Sequence, residues 1–100
     1  MILIGQLSCE VKDVKQVANI YSKFEALPSY IKRTGPYFQV SKKEGIQAIT
    51  IYMTTDDGKF NDAYDFLLDR YNSFKGVSSV SFSVERWENF TGALDILRNL

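Results

Sequence analysis

The sequence has no histidine, one cysteine and no excess of either charge, and each shortage excludes a class of protein. A single cysteine, Cys9, allows no intrachain disulfide, so we expect a reducing, cytoplasmic location. Lys plus Arg and Asp plus Glu number 12 each, giving a formal net charge of zero. This balance argues against nucleic-acid partners, which are bound mainly by neutralising phosphates, and against acidic lipid surfaces.

Long apolar runs are also missing. No stretch approaches the ~20 apolar residues of a membrane span. The start, "MILIGQLSCE", has no basic segment and too short an apolar run for a signal peptide. We find no metal or cofactor motif and expect neither group. With 100 residues, 45% of them apolar, the chain has the size and composition of one soluble domain covering residues 1–100.

Hydrophobic periodicity predicts four strands and three helices. In the first helix, Asp13 and Gln16 have the spacing of a capping box, Pro28 is expected to bend it, and Gly35 with Pro36 to end it. The second helix carries an apolar stripe that includes Leu67 and Tyr71. The predicted strands are 2–9, 37–41, 45–55 and 77–87, and the predicted helices are 13–33, 56–76 and 90–99.

The order βαββαβ followed by a short helix predicts an α+β, ferredoxin-like sandwich. Right-handed crossovers would place both long helices on one face of a four-stranded antiparallel sheet. The predicted spatial order of the strands is fourth, first, third, second.

The segment "GIQAITIYMTT", residues 45–55, is apolar on both faces of its predicted strand. We assign Ile49, Ile51 and Met53 to the helix side. We assign Ile46, Ala48 and Tyr52 to the other, open face. There they would join side chains of the first and last strands, Ile2, Ile4 and Trp87.

The predicted open face is thus an apolar patch with a polar rim. Burying each large side chain contributes about 1.5–3 kcal/mol, and the patch as a whole roughly 5–10 kcal/mol. A small domain is stable by only ~5–15 kcal/mol. We therefore expect a second copy to cover the patch through a twofold interface, with the C-terminal helix covering part of it. The candidate interface residues are Ile2, Ile4, Ile46, Ala48 and Phe66.

A ferredoxin-like domain of this length with an apolar open face resembles the dimeric α+β barrel superfamily, in which two sheets pack face to face. The resemblance covers the whole chain as an element order. It implies a site between the sheet and the helices or in the barrel mouth. Haem-degrading members use a histidine, which this chain lacks. Cofactor-free oxygenases use Asn, Trp or Tyr, and this chain offers Asn61, Trp87 and Tyr52 as residues of those types.

The same element order resembles RNA-recognition motifs, with "ILIGQL" and "KKEGIQAITIY" at the two signature strands. Those domains stack bases on aromatic side chains of the sheet. Leu3, Ile46 and Ala48 stand at the expected aromatic positions instead. We therefore expect no RNA binding.

Six residues of the predicted open face could hold a small apolar or aromatic ligand, with Glu85 as a general base. The alternative, which we favour, is that they form the polar rim of a dimer interface, where Tyr and Trp are enriched. The candidates are Gln6, Tyr37, Gln39, Tyr52, Glu85 and Trp87.

Three further features have structural explanations. Cys9 has no histidine to activate it and is expected to be a buried hydrophobe. Lys32 and Arg33 could bind an anion, but they are also the cations expected at a helix C-terminus. Asp56 and Asp57 are interpreted as an N-cap and acidic first turn, not a calcium loop.

Together these observations predict a homodimer formed through the open sheet face, with a small-molecule site as a further possibility. The alternative prediction is a cofactor-independent monooxygenase or isomerase acting on a small aromatic or quinone-like substrate.

Overall fold

Four strands and three α-helices follow one another in this computed structural model, which describes residues 1–100. Single 3₁₀ turns precede the first two α-helices. No helix has the length and apolar character needed to cross a membrane. The elements are β1 (Ile2–Cys9), α1 (Val14–Ser22), β2 (Ile31–Ser41), β3 (Gly45–Thr54), α2 (Phe60–Asn72), β4 (Ser81–Trp87) and α3 (Phe90–Arg98).

The strands form one antiparallel sheet in the order β2-β3-β1-β4. This is the predicted order read from the opposite edge. α1 and α2 lie over the same face, since side chains of both pack on the core that Leu3 and Leu7 of β1 help to form. The architecture is α+β and consistent with a ferredoxin-like fold.

The first helix is shorter than predicted. α1 ends at Ser22, and β2 begins at Ile31, whose side chain is buried in the core. The prediction failed because the register of β2 and β3 shifts between Thr34 and Tyr37. Gly35 there has a positive φ of 96° and the Gly35–Pro36 peptide is cis. This irregularity interrupts the alternation of β2, so that its first half resembled a helix end.

The predicted assignment of the β3 side chains to the two faces of the sheet is wrong. Leu3 pairs with Tyr52 and Leu7 with Ala48, and directly paired residues share a face. Tyr52, Ala48 and Ile46 therefore lie on the helix side, and Ile49, Ile51 and Met53 on the open face. Periodicity could not decide the question because both faces of this strand are apolar.

The two predicted caps have different outcomes. Asp56 accepts a hydrogen bond from the Gly58 amide at 2.9 Å, which confirms its capping role. Asp13 makes no side-chain cap bond to α1. Its carboxylate instead accepts hydrogen bonds from the Ser79 amide and hydroxyl, and so ties the start of α1 to the loop before β4.

The core lies mainly between β1, β4 and α2. The predicted stripe of α2 is confirmed, with Ala63, Leu67 and Tyr71 buried. Phe66, a candidate interface residue, is half-buried against this core and hence does not extend the open face. α1 has no fully buried residue and stands over the sheet more loosely.

The molecule is elongated. Its radius of gyration is 15.0 Å, whereas about 13 Å is expected for 100 residues. α1 is about 14 Å long, much shorter than the 11-residue strand β2. As a result Phe38 and Val40, which point to the helix side of the sheet, are 61% and 71% exposed. The β2–β3 hairpin thus extends beyond the helices.

Candidate functional site

The open face is apolar over one half of its length. The register places its side chains in rows that cross the four strands. The two rows nearest the start of β1 hold the large apolar side chains. From β2 to β4, these rows are Lys32, Met53, Ile2 and Trp87, followed by Thr34, Ile51, Ile4 and Glu85.

The other half of the open face is polar. It forms a shallow groove of about 580 Å³ whose floor carries amides and hydroxyls. Apart from the ring of Tyr37, Ile49 is the only large apolar side chain in the two rows of this half. In the same direction, these rows are Tyr37, Ile49, Gln6 and Ser83, followed by Gln39, Gln47, Ser8 and Ser81.

Nothing within the chain covers the apolar half. Met53 is 51% exposed and Trp87 49% exposed. α3, which was expected to cover part of this face, makes no extensive contact with the sheet. It has no buried residue and leaves Phe90 and Leu97 exposed. The open face therefore remains an exposed apolar surface, which is unusual unless it serves a function.

The open face carries one side chain of each charge. Lys32 lies on the edge strand β2 and Glu85 on the opposite edge strand β4, one row apart. Neither takes part in an ion pair within the chain. Both charges are thus available to an external partner.

A second candidate site lies on the helix side, between α1 and the sheet. It is a cleft of about 220 Å³, and 13 of its 16 lining residues are hydrophobic. Val14 and Val17 line it from α1, and Leu7 and Ala48 from the sheet. The cleft exists because α1 stands off the strands. Its volume suits a molecule of one or two rings, since a cavity of ~150 Å³ holds benzene.

Two tyrosine hydroxyls meet at the floor of this cleft, which the polar residues Thr50 and Arg70 also line. Tyr52 on β3 and Tyr71 on α2 are both buried, and their hydroxyl oxygens are 3.1 Å apart. The Tyr71 ring lies directly over Gly5 in β1. A Cβ at Gly5 would overlap the Tyr71 hydroxyl and lie 2.6 Å from its Cζ. The absence of a side chain at Gly5 is therefore what lets the two hydroxyls meet.

Two ionisable groups of the cleft, the Tyr71 hydroxyl and the Cys9 thiol, are held neutral. Burial, together with the neighbouring Tyr52 hydroxyl, raises the pKa of Tyr71 far above its ordinary value of 10.0. Burial also raises the pKa of the Cys9 thiol, and the charge of Asp13 adds to this effect. Neither group is a ready base or nucleophile at neutral pH. The cleft is chemically suited to binding through contact and hydrogen bonds.

The structure separates the six predicted ligand-binding residues. Gln6, Tyr37 and Gln39 line the polar groove of the open face. Glu85 and Trp87 lie on the same face at its apolar half. Tyr52 is on the opposite side of the sheet, in the helix-side cleft. The prediction that Tyr52 faces the open groove is therefore wrong.

The candidate interface residues divide in a similar way. Ile2 and Ile4 lie on the open face, as their strand pattern predicts, and their role at an interface stays a prediction. Ile46 and Ala48 line the helix-side cleft instead. They cannot belong to an interface formed by the open face.

The other predicted groups are dispersed. Lys32 and Arg33 are adjacent in β2 and point to opposite faces, so they do not form one anion site. Arg33 donates a hydrogen bond to the Tyr21 hydroxyl on the helix side at 3.1 Å. Asn61 is exposed on α2, which lies over the helix side of the sheet, whereas Trp87 is on the open face. No cluster of three or more His, Cys, Asp or Glu side chains is placed to hold a metal ion.

Sequence reasoning missed the role of Tyr71 and Gly5. Tyr71 was correctly assigned to the core stripe of α2. The sequence pattern did not indicate that its hydroxyl would form a hydrogen bond with another side chain. The available signal was Gly5 inside an otherwise apolar strand, since such a glycine often marks a close approach by another group.

Comparison of the chain with protein-family models and with curated proteins finds no match.

Proposed function

We propose that the protein acts as a homodimer whose two copies pack through their open sheet faces. The observation that carries this proposal is the exposed apolar half of the face, formed by Ile2, Ile4, Ile51, Met53 and Trp87. Covering it would recover several kcal/mol per copy, at roughly 1.5–3 kcal/mol for each large side chain fully buried. The polar rows beside it provide the rim expected of such an interface.

The size of the face supports a stable interface. Four strands about 4.8 Å apart and ~25 Å long give a face of roughly 500 Å². Covering it in both copies removes at least about 1,000 Å² from water, which is the lower limit expected of a biological interface. The element order supports the same proposal, since it resembles the ferredoxin-like dimeric α+β barrels.

Sedimentation equilibrium of the wild-type protein and of Met53→Glu tests the dimer. The chain has a mass of 11.4 kDa, and we expect twice that mass at micromolar concentration. Met53→Glu places a charge in the apolar half and should give the monomer mass. Met53 is half exposed in the single chain, so the variant should still fold.

Val40→Glu is the matched control, because Val40 is an exposed apolar residue of the same hairpin that points to the helix side. It should keep the dimer mass. A wild-type protein that sediments at 11.4 kDa across this range contradicts the proposal.

A second proposed function is the binding of a small, mostly apolar molecule in the helix-side cleft. The Tyr52–Tyr71 pair supports it. Two hydroxyls hold two protons and use one between them, so one remains for a further acceptor. Thr50 lines the same cleft as Tyr71 and carries a further hydroxyl. If Thr50 donates to Tyr71 and Tyr71 to Tyr52, the free proton is that of Tyr52. A carbonyl or ether oxygen of the ligand would accept it.

The enzymatic alternative, a cofactor-independent oxygenase or isomerase, would use the same cleft. It needs a base or nucleophile beside the substrate. The residues that line the cleft include no carboxylate, and the raised pKa values of Tyr71 and Cys9 oppose ionisation. These observations favour binding over catalysis.

Titration of the ¹⁵N-labelled protein with acetophenone and with ethylbenzene tests the cleft. Both are small aromatic molecules, and only acetophenone carries an acceptor. We expect both to shift amide signals of α1 and β3, with acetophenone binding at least about threefold more tightly because of its hydrogen bond. Tyr52→Phe should remove this preference, whereas Tyr37→Phe, on the other side of the sheet, should retain it. Shifts confined to the open face would contradict the proposed location.

A further inference from the structure

The distribution of polarity on the open face restricts how two copies can pack. The two rows nearest the start of β1 are apolar and the other two are polar. Two sheets packed face to face in a closed dimer are related by a twofold axis lying between them. That axis runs either parallel to the strands or across them.

An axis across the strands reverses the second copy along the strand direction. The row of Ile2 would then face the row of Ser8, so the apolar half would be buried against amides and hydroxyls. Shifting the copies until apolar rows meet would leave about half of each face uncovered. An axis parallel to the strands keeps each row opposite its own equivalent. It brings apolar rows against apolar rows and polar rows against polar rows with the full faces in contact, in the aligned arrangement common for packed sheets.

The charges select the same axis. A rotation about an axis parallel to the strands exchanges the two edges of the sheet. The β2 edge of each copy then lies over the β4 edge of the other. Lys32 thus comes to the end of the face that holds Glu85 and Trp87 of the second copy. An axis across the strands places each β2 edge over the other β2 edge, where Lys32 has no acid opposite.

We propose that the second copy is related by a twofold axis parallel to the strands, so that Lys32 of each copy pairs with Glu85 of the other. This inference rests on the proposed dimer and specifies its geometry. The dimer gains two symmetry-related ion pairs at the edges of an apolar centre. Such pairs fix the relative position of two surfaces more than they add to affinity.

Charge reversal with mixing tests the axis. Lys32→Glu places two acids together at each edge, and Glu85→Lys places two bases together, so each variant alone should weaken the dimer at least about tenfold. An equimolar mixture should restore association, because each edge of the mixed dimer then joins one acid to one base. At one edge both members of the pair are the introduced residues, and at the other both are the original Lys32 and Glu85.

Two further variants complete this test. The double variant Lys32→Glu/Glu85→Lys should form a homodimer again, since both pairs are reversed and remain complementary. Lys23→Glu, an exposed change at the end of α1, should have no effect on the dimer.

The outcomes separate this inference from the dimer itself. A wild-type monomer overturns both. A wild-type dimer that both single variants leave intact, or that the mixture fails to restore after each variant has weakened it, overturns the axis and leaves the dimer standing. Recovery in the mixture and in the double variant supports both.

Discussion

At the scale of single residues, Gly5 and Tyr71 determine how the helix side of the sheet is built. The Tyr71 ring occupies the space that a side chain at position 5 would fill. This contact brings α2 close to β1 and sets the Tyr71 hydroxyl beside that of Tyr52. One missing Cβ therefore connects the packing of the core to the tyrosine pair of the cleft.

Gly5→Ala should destabilise the protein by about 1–3 kcal/mol, the usual cost of forcing an extra group into a packed core. Urea unfolding measures this free energy. The loss should shrink in a Tyr71→Phe background, because the hydroxyl is the atom nearest to the new Cβ. Gly76→Ala is the control, since a Cβ there meets no atom within 4 Å. Equal losses for the two glycine variants would contradict the proposed contact.

Asp13 should make stability depend on pH below its ordinary pKa. Its hydrogen bonds from Ser79, and the charge of Lys12, lower the pKa of this carboxyl below 3.8 in the folded state. A group with a lowered pKa stabilises the fold fully above the unfolded-state pKa and loses that contribution as pH falls through the folded one. Unfolding measured from pH 6 to pH 2 should show this loss in the wild type. It should be smaller in Asp13→Asn.

Asp69→Asn serves as the control for this experiment, because Asp69 is an exposed acid of α2 with no ion pair in the chain. It removes one charge without touching Ser79. If the Asp13→Asn variant loses stability on acidification as steeply as the wild type, a role for the Asp13–Ser79 hydrogen bonds is contradicted.

At the scale of elements, α1 and α2 differ in how firmly they are held. α2 buries Ala63, Leu67 and Tyr71, whereas α1 buries none of its residues fully. The local opening of an element depends on the apolar contacts it must break. Amides of α1 should therefore exchange with solvent at least about tenfold faster than those in the centre of α2. Hydrogen exchange read by NMR measures this, and similar protection of both helices would contradict it.

The elements also show what the sequence could and could not predict. β4 and the stripe of α2 were predictable because each has one mainly apolar side, and one-sided patterns fix a face. The face of β3 was not, since both of its sides are apolar and only pairing with β1 decides between them. The first half of β2 was hidden by the irregularity at Gly35 and Pro36. The Tyr52–Tyr71 pair needed the strand register and the approach of α2 to Gly5, neither of which is visible in local patterns.

At the scale of the whole molecule, the single chain buries little of its apolar surface. Fifteen of 100 residues are buried, while Met53, Trp87 and the apolar side of α3 remain exposed. A small domain buries only a limited part of its apolar surface by folding alone. Association with a second copy covers apolar surface that the single chain leaves in water. The corrected faces of β3 change which residues form the patch. Ile51 and Met53 take the place predicted for Ile46, Ala48 and Tyr52, and the patch lies in the half of the open face nearest the start of β1.

The most direct test is an isotope-filtered NOE experiment on an equimolar mixture of ¹³C-labelled and unlabelled protein, which detects only contacts between copies. We predict contacts between copies from the methyl groups of Ile4, Ile51 and Met53. Methyl groups of Val17 and Ala48, which lie in the helix-side cleft, should give none. Absence of contacts from the open face at concentrations where the protein is associated, or contacts only from the helix side, would contradict the account.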